Sequence, residues 1–552
     1  MSKYSVGIDY GTLSARGILI DIHSGEEIAS CVFGYPHGVM EQSLPCGAKL
    51  PPDWALQHPD DYLNALYFIT TGLIKSSGVK SGDIIGIGID FTSCTILPVT
   101  ADGTPLCKLP EFSENRHAYV KLWKHHSAQY CADKLNETAE LRSEEWLKLY
   151  GGKISSEWLV PKAMQIAAEA PEVYTAADRI IEAGDWLVWM MCGREARSAC
   201  NAGYKALWQQ ATGYPTKEFF SALDKRLENI VEEKLSNDIK PLGSRAGYIT
   251  EEMAQKTGLS TETAVAVGII DAHASVPACG IDGEGKLLMI MGTSTCHIIL
   301  SEKEIAVPGI CGVVKDGVLP GFYAYEAGQS CVGDHFSWFV DNCLPAAYYD
   351  EAKKQGINPF GYLSKKAERL RVGESGLLAL DWWNGVRSVL MDFDLSGMLV
   401  GMTLQTKPEE IYRALVEATA YGTRMIIEAF EGAGLCVEAL FAAGGIAAKD
   451  PFTMQIYSDV CGKVIRVSGK SQSGALGSAI YAVAAAGQDK SGYKSIGEAV
   501  IALGRAENII YTPNKENVRV YNELFAEYKK LHVYFGRGEN NVMKKLKEIK
   551  NR

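Results

Sequence analysis

A run rich in β-branched residues ends on Asp9, Gly11-Thr12 form a tight turn, and a second apolar run returns behind Arg16. This pattern predicts a hairpin over residues 4–21 (YSVGIDYGTLSARGILID). Residues 59–75 (PDDYLNALYFITTGLIK) space their apolar positions as a helix does, and residues 83–91 (DIIGIGIDF) form a buried-type strand. Between 133 and 245 the spacing is mostly helical, punctuated by Trp, Pro and Gly. Residues 250–257 read as a polar helix closed by Gly258, and residues 264–270 (AVAVGII) as an apolar strand running into Asp271 and a helix of small residues. The hairpin pattern then returns over residues 287–300 (LLMIMGTSTCHIIL), with Gly292-Thr293-Ser294 at its turn. Residues 440–445 (LFAAGG) read as a strand entering a Gly-Gly turn and a helix, for which Asp450 supplies an N-cap, Pro451 the first turn and Gly462 the stop. Residues 474–487 (GALGSAIYAVAAAG) predict a closely packed helix, too short to span a bilayer. Strands alternating with helices in this way predict an α/β fold.

The 552 residues exceed what one hydrophobic core serves, so two domains of roughly 250 residues are expected, divided near Gly258 into 1–258 and 259–552. A net charge of −11 argues against nucleic-acid and anionic-membrane partners, so a bound polyanion must meet a local site. The fourteen cysteines form no CxxC pair or zinc spacing and several lie in apolar runs, as suits reduced thiols in a cytoplasmic protein. Met1-Ser2-Lys3 leads directly into the first strand, which does not resemble a signal peptide. The oligomeric state stays open, a homo-oligomer included.

The two Gly-Thr turns carry the chemistry. Glycine lets backbone approach a ligand and the adjacent hydroxyl adds a donor, so each turn can hold phosphate oxygens, and two facing turns would clasp one nucleotide. A single such turn is usually only a hairpin; the repetition, the acid at the first turn and the Gly444-Gly445 element favour the phosphate reading. The strand–Gly-Gly–helix unit offers a donor-rich surface for an adenosine or its phosphates, or is a plain βα turn. Asp90 and residues 92–95 stand past the carboxyl end of a strand, where α/β sheets bind ligands, or form a polar strand exit. Asp271 is either a carboxylate aimed as a general base or a helix N-cap. Lys205, in an apolar context (NAGYKALW), either snorkels or meets an acid or a ligand. Gly469-Lys470-Ser471 imitates the end of a phosphate-binding P-loop, but Val464 stands where that motif needs glycine; GxGxxG, HExxH and GxSxG are absent.

GIDYGTLSAR, GIIDAHAS, MGTSTC and AAGGIAAKDPFTMQIYSDVCGK resemble, in order and over essentially the whole chain, the phosphate, base and adenosine motifs of the FGGY carbohydrate kinases. That family has the duplicated, two-domain actin/hexokinase/Hsp70-like (ribonuclease H-like) fold with a cleft between the domains. PEFSENRHAYVKLWKHHSA (110–128), GGKISSEW (151–158), CNAGYKALW (200–208), GICG (309–312), YEAGQS (325–330) and LDWWNGVRS (380–388) are similar to the branch that phosphorylates L-ribulose at O5, in L-arabinose breakdown.

The resemblance implies Asp271 as the base; Ser93, Lys205, Asp271 and Glu326 as sugar contacts; and Asp9 as holder of Mg²⁺, through water. It also implies Gly11, Thr12, Arg16, Gly292, Thr293, Gly444, Gly445 and Lys449 around ATP. The substrates expected are a ketopentose and MgATP, with no nucleic acid or membrane as partner. Ser93-Cys94 replace the Arg-Glu pair of glycerol kinases and leave room for a longer sugar. Two positions depart from the family pattern. His125 stands where many members have an acid, and the helix after Pro161-Lys162 lacks the usual tryptophan. Rival readings are another pentulose (D-ribulose or a xylulose), or a non-catalytic sugar or nucleotide sensor, from which sugar-dependent ATP turnover would separate an enzyme.

Overall fold

The computed structural model describes residues 2–468, 472–504, 509–550 and 552. The imitation P-loop residues Gly469-Lys470-Ser471 lie outside the described residues.

Among these residues two seven-stranded sheets dominate. The first contains β1 (Tyr4–Tyr10), β2 (Ser14–Asp21), β3 (Glu27–Gly34), β4 (Ile84–Phe91), β5 (Arg245–Tyr248), β6 (Ala264–Ala266) and β7 (Ile269–Ile270). Its order is β5-β6-β4-β1-β2-β3, with β7 paired to β4 beyond β6. The second contains β8 (Gly285–Met291), β9 (Thr295–Ser301), β10 (Gly312–Lys315), β11 (Tyr323–Gln329), β12 (Val437–Ala443), β13 (Ile465–Val467) and β14 (Ile509–Tyr511). Its order is β10-β11-β9-β8-β12-β13-β14. In each sheet an antiparallel meander, β1-β2-β3 or β8-β9-β11, leads into parallel strands, β4 and β6 or β12 and β13. The fold is a duplicated α/β unit, as expected.

Predicted and observed elements agree closely at several ends. Helix α1 (Pro59–Ser77) starts on proline and ends at Gly78 in the left-handed region, and the polar helix Glu251–Thr257 is capped by Thr250 and stopped by Gly258. The single strand expected over residues 264–270 is instead split. Gly268 passes against the backbone of Gly184, where a Cβ would sit 3.3 Å away, and the detour lets β7 pair with the last residues of β4, Asp90 and Phe91. Asp450 also differs from expectation: its carboxylate accepts from Thr453 Oγ1 at 2.7 Å and caps no backbone N–H.

Helix α2 (Asp271–Ala278) leaves the first sheet, and α3 (Pro408–Gly432), α4 (Gly445–Lys449) and α5 (Pro451–Cys461) surround the second. The last long helix of small residues, α6 (Ser473–Ala486), belongs by sequence to the second half but packs on the first sheet, against β1, β4 and α2. Its backbone lies almost on the strands. A Cβ at Gly7 would fall 1.8 Å from the Ala475 carbonyl, one at Gly88 2.1 Å from the Ser478 carbonyl, and one at Gly477 1.7 Å from the Ala274 carbonyl. Ser5 Oγ donates to the Ala479 carbonyl at 2.8 Å, and Ser478 Oγ to Asp90 at 2.7 Å. Substituting alanine for Gly7 should therefore lower unfolding stability by about 3 kcal/mol in a denaturant titration, because backbone must move on both sides of the contact. Gly34→Ala, where nothing lies within 4 Å, should change it little.

Candidate active site

Strand register gathers three carboxylates. Parallel pairing sets Asp9 of β1 beside Asp90 of β4, and β7 sets Ile269 beside Asp90 and Ile270 beside Phe91, so Asp271 follows at the same edge. Asp9 is half-buried and Asp90 fully buried. Burial, then the charge of Asp9, push Asp90 well above the usual carboxylate range, with Ser478 opposing. Asp90 Oδ1 receives no protein donor, and the bond between the two carboxyl groups favours the proton on Asp90. Burial raises Asp9 as well, while the bond to Asp90 and the charge of Arg16, its partner across the β1–β2 ladder, favour its ionised form. The first turn of α6 adds a helix N-terminus here: a Cβ at Gly474 would lie 3.1 Å from Asp90 Oδ1 and 3.3 Å from Asp9 Oδ2.

Asp271 is the first residue of α2, not its cap. Its Oδ1 accepts the Ala272 N–H at 2.7 Å. Burial and the Asp9 charge push its carboxyl up to about 7, with Glu326 adding to the rise and the Ala272 N–H and Lys205 opposing it. Lys205 does meet an acid. Its Nζ lies 3.1 Å from Glu326 Oε2 and 3.3 Å from Oε1, both residues being buried. Burial disfavours each charge, but Glu326 outweighs it for Lys205, and Lys205 outweighs it for Glu326, so the pair is ionic. His273 Nε2 stands 3.4 Å from Glu326, its ring against Tyr204; burial lowers it to about 4 and keeps it neutral. Ser93 is half-buried at the β4 exit. The loop there is fixed by Lys162, whose buried Nζ donates to the carbonyls of Cys94 at 2.5 Å and Leu122 at 2.8 Å, and by Thr95 N–H donating to Glu182.

The first hairpin closes with Gly11 N–H donating to the Ser14 carbonyl at 3.0 Å. Outside support comes from Trp123 Nε1, donating to Thr12 Oγ1 at 3.1 Å, and Gln57 Nε2, donating to the Thr12 carbonyl at 2.7 Å. The second repeats the closure, Gly292 N–H to the Ser294 carbonyl at 2.9 Å, with Gly292 and Thr293 exposed. It meets the third glycine element directly. Gly444, at φ +97°, approaches the Met291 carbonyl so closely that a Cβ would lie 2.4 Å from it. Gly445 opens α4, and Lys449 stands exposed at that helix's far end. His125 is buried: Nδ1 accepts from Ala55 N–H, Nε2 donates to Gln165 Oε1 at 2.9 Å, and the ring meets Trp54 edge-on. It is a packing residue behind the site.

The chain matches two family models, FGGY family of carbohydrate kinases, N-terminal domain, over residues 4–277, and FGGY family of carbohydrate kinases, C-terminal domain, over residues 287–486. The chain belongs to the FGGY carbohydrate kinase family. It is similar to the ribulokinase of Bacillus licheniformis, 58% identical over 540 residues, 98% of each chain. The ribulokinase of Geobacillus thermodenitrificans is 53% identical, covering 99% of this chain and 97% of the relative, and that of Mycolicibacterium smegmatis 45%, covering 100% and 97%. Among solved structures, xylulose kinase from Rhodospirillum rubrum superposes with a TM-score of 0.79 at 21% identity, covering 96% of this chain and 98% of that one. Glycerol kinase from Plasmodium falciparum with ADP superposes with a TM-score of 0.74 at 18% identity, with the same coverage. The fold is that of FGGY kinases.

Several residues of this FGGY site were not assigned roles from sequence: Asp90's link to Ser478, His273, Trp123, Gln57 and Lys162. The paired segments Gly-Ile-Asp-Tyr (7–10) and Gly-Ile-Asp-Phe (88–91) signal the twin carboxylates; the others are set by contacts distant in sequence. Removing one member of the buried pair leaves the other charge unmatched. Lys205→Met should therefore cost about 3–5 kcal/mol in urea unfolding, and Lys205→Met with Glu326→Leu should recover most of it while activity stays lost.

Proposed function

We infer that the protein phosphorylates L-ribulose at O5 with MgATP, giving L-ribulose 5-phosphate and ADP, in L-arabinose breakdown. The observation that carries this reading is the buried Lys205–Glu326 pair beside Asp271, in a chain that matches ribulokinases over nearly its whole length. Asp271 takes the proton of the attacking C5 hydroxyl. Phosphoryl transfer through a loose transition state asks mainly for positioning and charge neutralisation, so one aimed carboxylate serves. Lys205 donates to sugar oxygens while Glu326 accepts from hydroxyls, and their mutual bond fixes both heads before substrate arrives. Ser93 lines the same pocket. Gly11, Thr12, Arg16, Gly292 and Thr293 hold the phosphates, and Gly444, Gly445 and Lys449 border the adenosine.

Among the described residues no three His, Cys, Asp or Glu side chains gather into a metal cage. The residues present fit Mg²⁺, which is bound through one or two carboxylates and substrate phosphates: the bond to Asp90 and the charge of Arg16 favour the ionised form of Asp9. Asp9 would hold the ion, which when bound neutralises phosphate charge. No helix among the described residues is long and apolar enough to cross a membrane, and ATP and an intermediate sugar suit a cytoplasmic enzyme.

ADP release with MgATP and, separately, L-ribulose, D-ribulose, L-xylulose, D-xylulose, glycerol or no sugar tests the reading. Highest kcat/KM with L-ribulose is expected; preference for another pentulose would replace the substrate, and turnover indifferent to sugar would overturn the kinase reading. Asp271→Asn should lower kcat about 1,000-fold while leaving the nucleotide Kd unchanged by calorimetry. With Asp271 raised to about 7, the free enzyme's base carries a proton below that pH. kcat/KM for the sugar should therefore rise with pH through about 7 and level off above it.

A further inference from the structure

Arg387 has no role in the account so far. It lies in the loop after the short strand Leu378–Leu380, and its side chain runs across Gly328 of β11: a Cβ there would sit 2.8 Å from Arg387 Cδ and 3.3 Å from Nη1. Gly328 is two residues from Glu326 on the same strand, so its missing side chain and that of Glu326 point to one face of the sheet. The loop is pinned there by Ser388, whose N–H donates to the Gly328 carbonyl and whose Oγ accepts the Gly328 N–H, both at 3.1 Å. Glycine at 328 is thus what admits an arginine beside the sugar-facing glutamate.

The guanidinium is half-buried and makes no ion pair or hydrogen bond with any described residue, although five N–H donors in an enclosed place ordinarily find acceptors. Burial works against its charge, and the carboxylates of Glu157 and Glu326 outweigh that cost. Glu157 adjoins Trp158, whose ring lies 5.5 Å from Lys205 Nζ. Glu326 is therefore flanked by two cations: Lys205, bonded to it at 3.1 Å, and Arg387, which crosses the same strand face at Gly328.

We propose that Arg387 is a specificity-determining substrate-binding residue that donates to the C2 carbonyl of the open-chain ketose, at the end of the pocket opposite the hydroxyl that is phosphorylated. The inference rests on the ribulose reading given above. A sugar whose O5 meets Asp271 extends its carbonyl end past Lys205 and Glu326, and a donor-only, planar guanidinium matches the two in-plane lone pairs of a carbonyl better than a tetrahedral carbinol. Reduction at C2 gives ribitol and L-arabitol, which keep every other hydroxyl.

Calorimetric Kd values for L-ribulose, ribitol and L-arabitol, measured on the wild type, Arg387→Met and Arg387→Lys, test the proposal, with ATP affinity and unfolding midpoint as controls. The expected result is an L-ribulose Kd raised about 10- to 100-fold in Arg387→Met, with polyol Kd values raised several-fold less and ATP binding unchanged. Arg387→Lys should recover part of the affinity but not the ketose-to-polyol ratio. Equal losses for ketose and polyols, or none, would overturn the assignment. Failure of the wild type to bind L-ribulose at all would overturn the underlying function instead.

Discussion

The seating of α6 on the first sheet is the contact on which the site depends. Helix backbone and strand backbone approach to a separation that no side chain at Gly7, Gly88 or Gly477 would permit, and the residues involved come from opposite ends of the chain. The contact joins the two halves and aims the helix N-terminus at Asp9 and Asp90. Ser478, bonded to Asp90, ties the same helix to the protonated member of the pair. Packing and electrostatics are therefore one constraint: displacing the helix would remove the dipole and hydrogen bond that help to hold two carboxyl groups side by side.

From that corner the site extends as alternating charge. Asp271 follows the carboxylate pair, the bonded Lys205 and Glu326 act on Asp271, and Arg387 crosses the strand of Glu326 at Gly328. Lys205 and Glu326 offset each other, and Asp271 accepts a backbone N–H, which is the condition for keeping buried polar groups fixed. A polyhydroxylated ketose presents both donors and acceptors, and a preformed cation–anion pair meets both without rearranging. The two Gly-Thr turns are built differently, closed by backbone bonds, with Gly444 at positive φ against the second.

Much of this was legible in the sequence because it is local. Each hairpin spans fewer than twenty residues and carries its own glycine signal, and Asp271 stands where an apolar strand stops. Lys205 was legible as a question, since an ammonium in an apolar run needs a partner, but that partner lies 121 residues away and no periodicity encodes it. The same holds for Ser478 and Asp90, 388 residues apart. Asp450 has the composition of a helix cap yet bonds a threonine hydroxyl, because tertiary packing set its backbone outside cap geometry. His125, a departure from the family pattern, is explained by Trp54 and Gln165, neither adjacent in sequence.

The proposed sugar pose has a direction, with C5 at Asp271 and the carbonyl end away from the phosphates. Uniformly ¹³C-labelled L-ribulose turned over with MgATP and followed by carbon–phosphorus coupling in NMR tests this directly. A single product whose phosphorus couples to C5 and C4 is expected. A product coupled to C1 and C2, or ADP formed with the sugar unmodified, would contradict it.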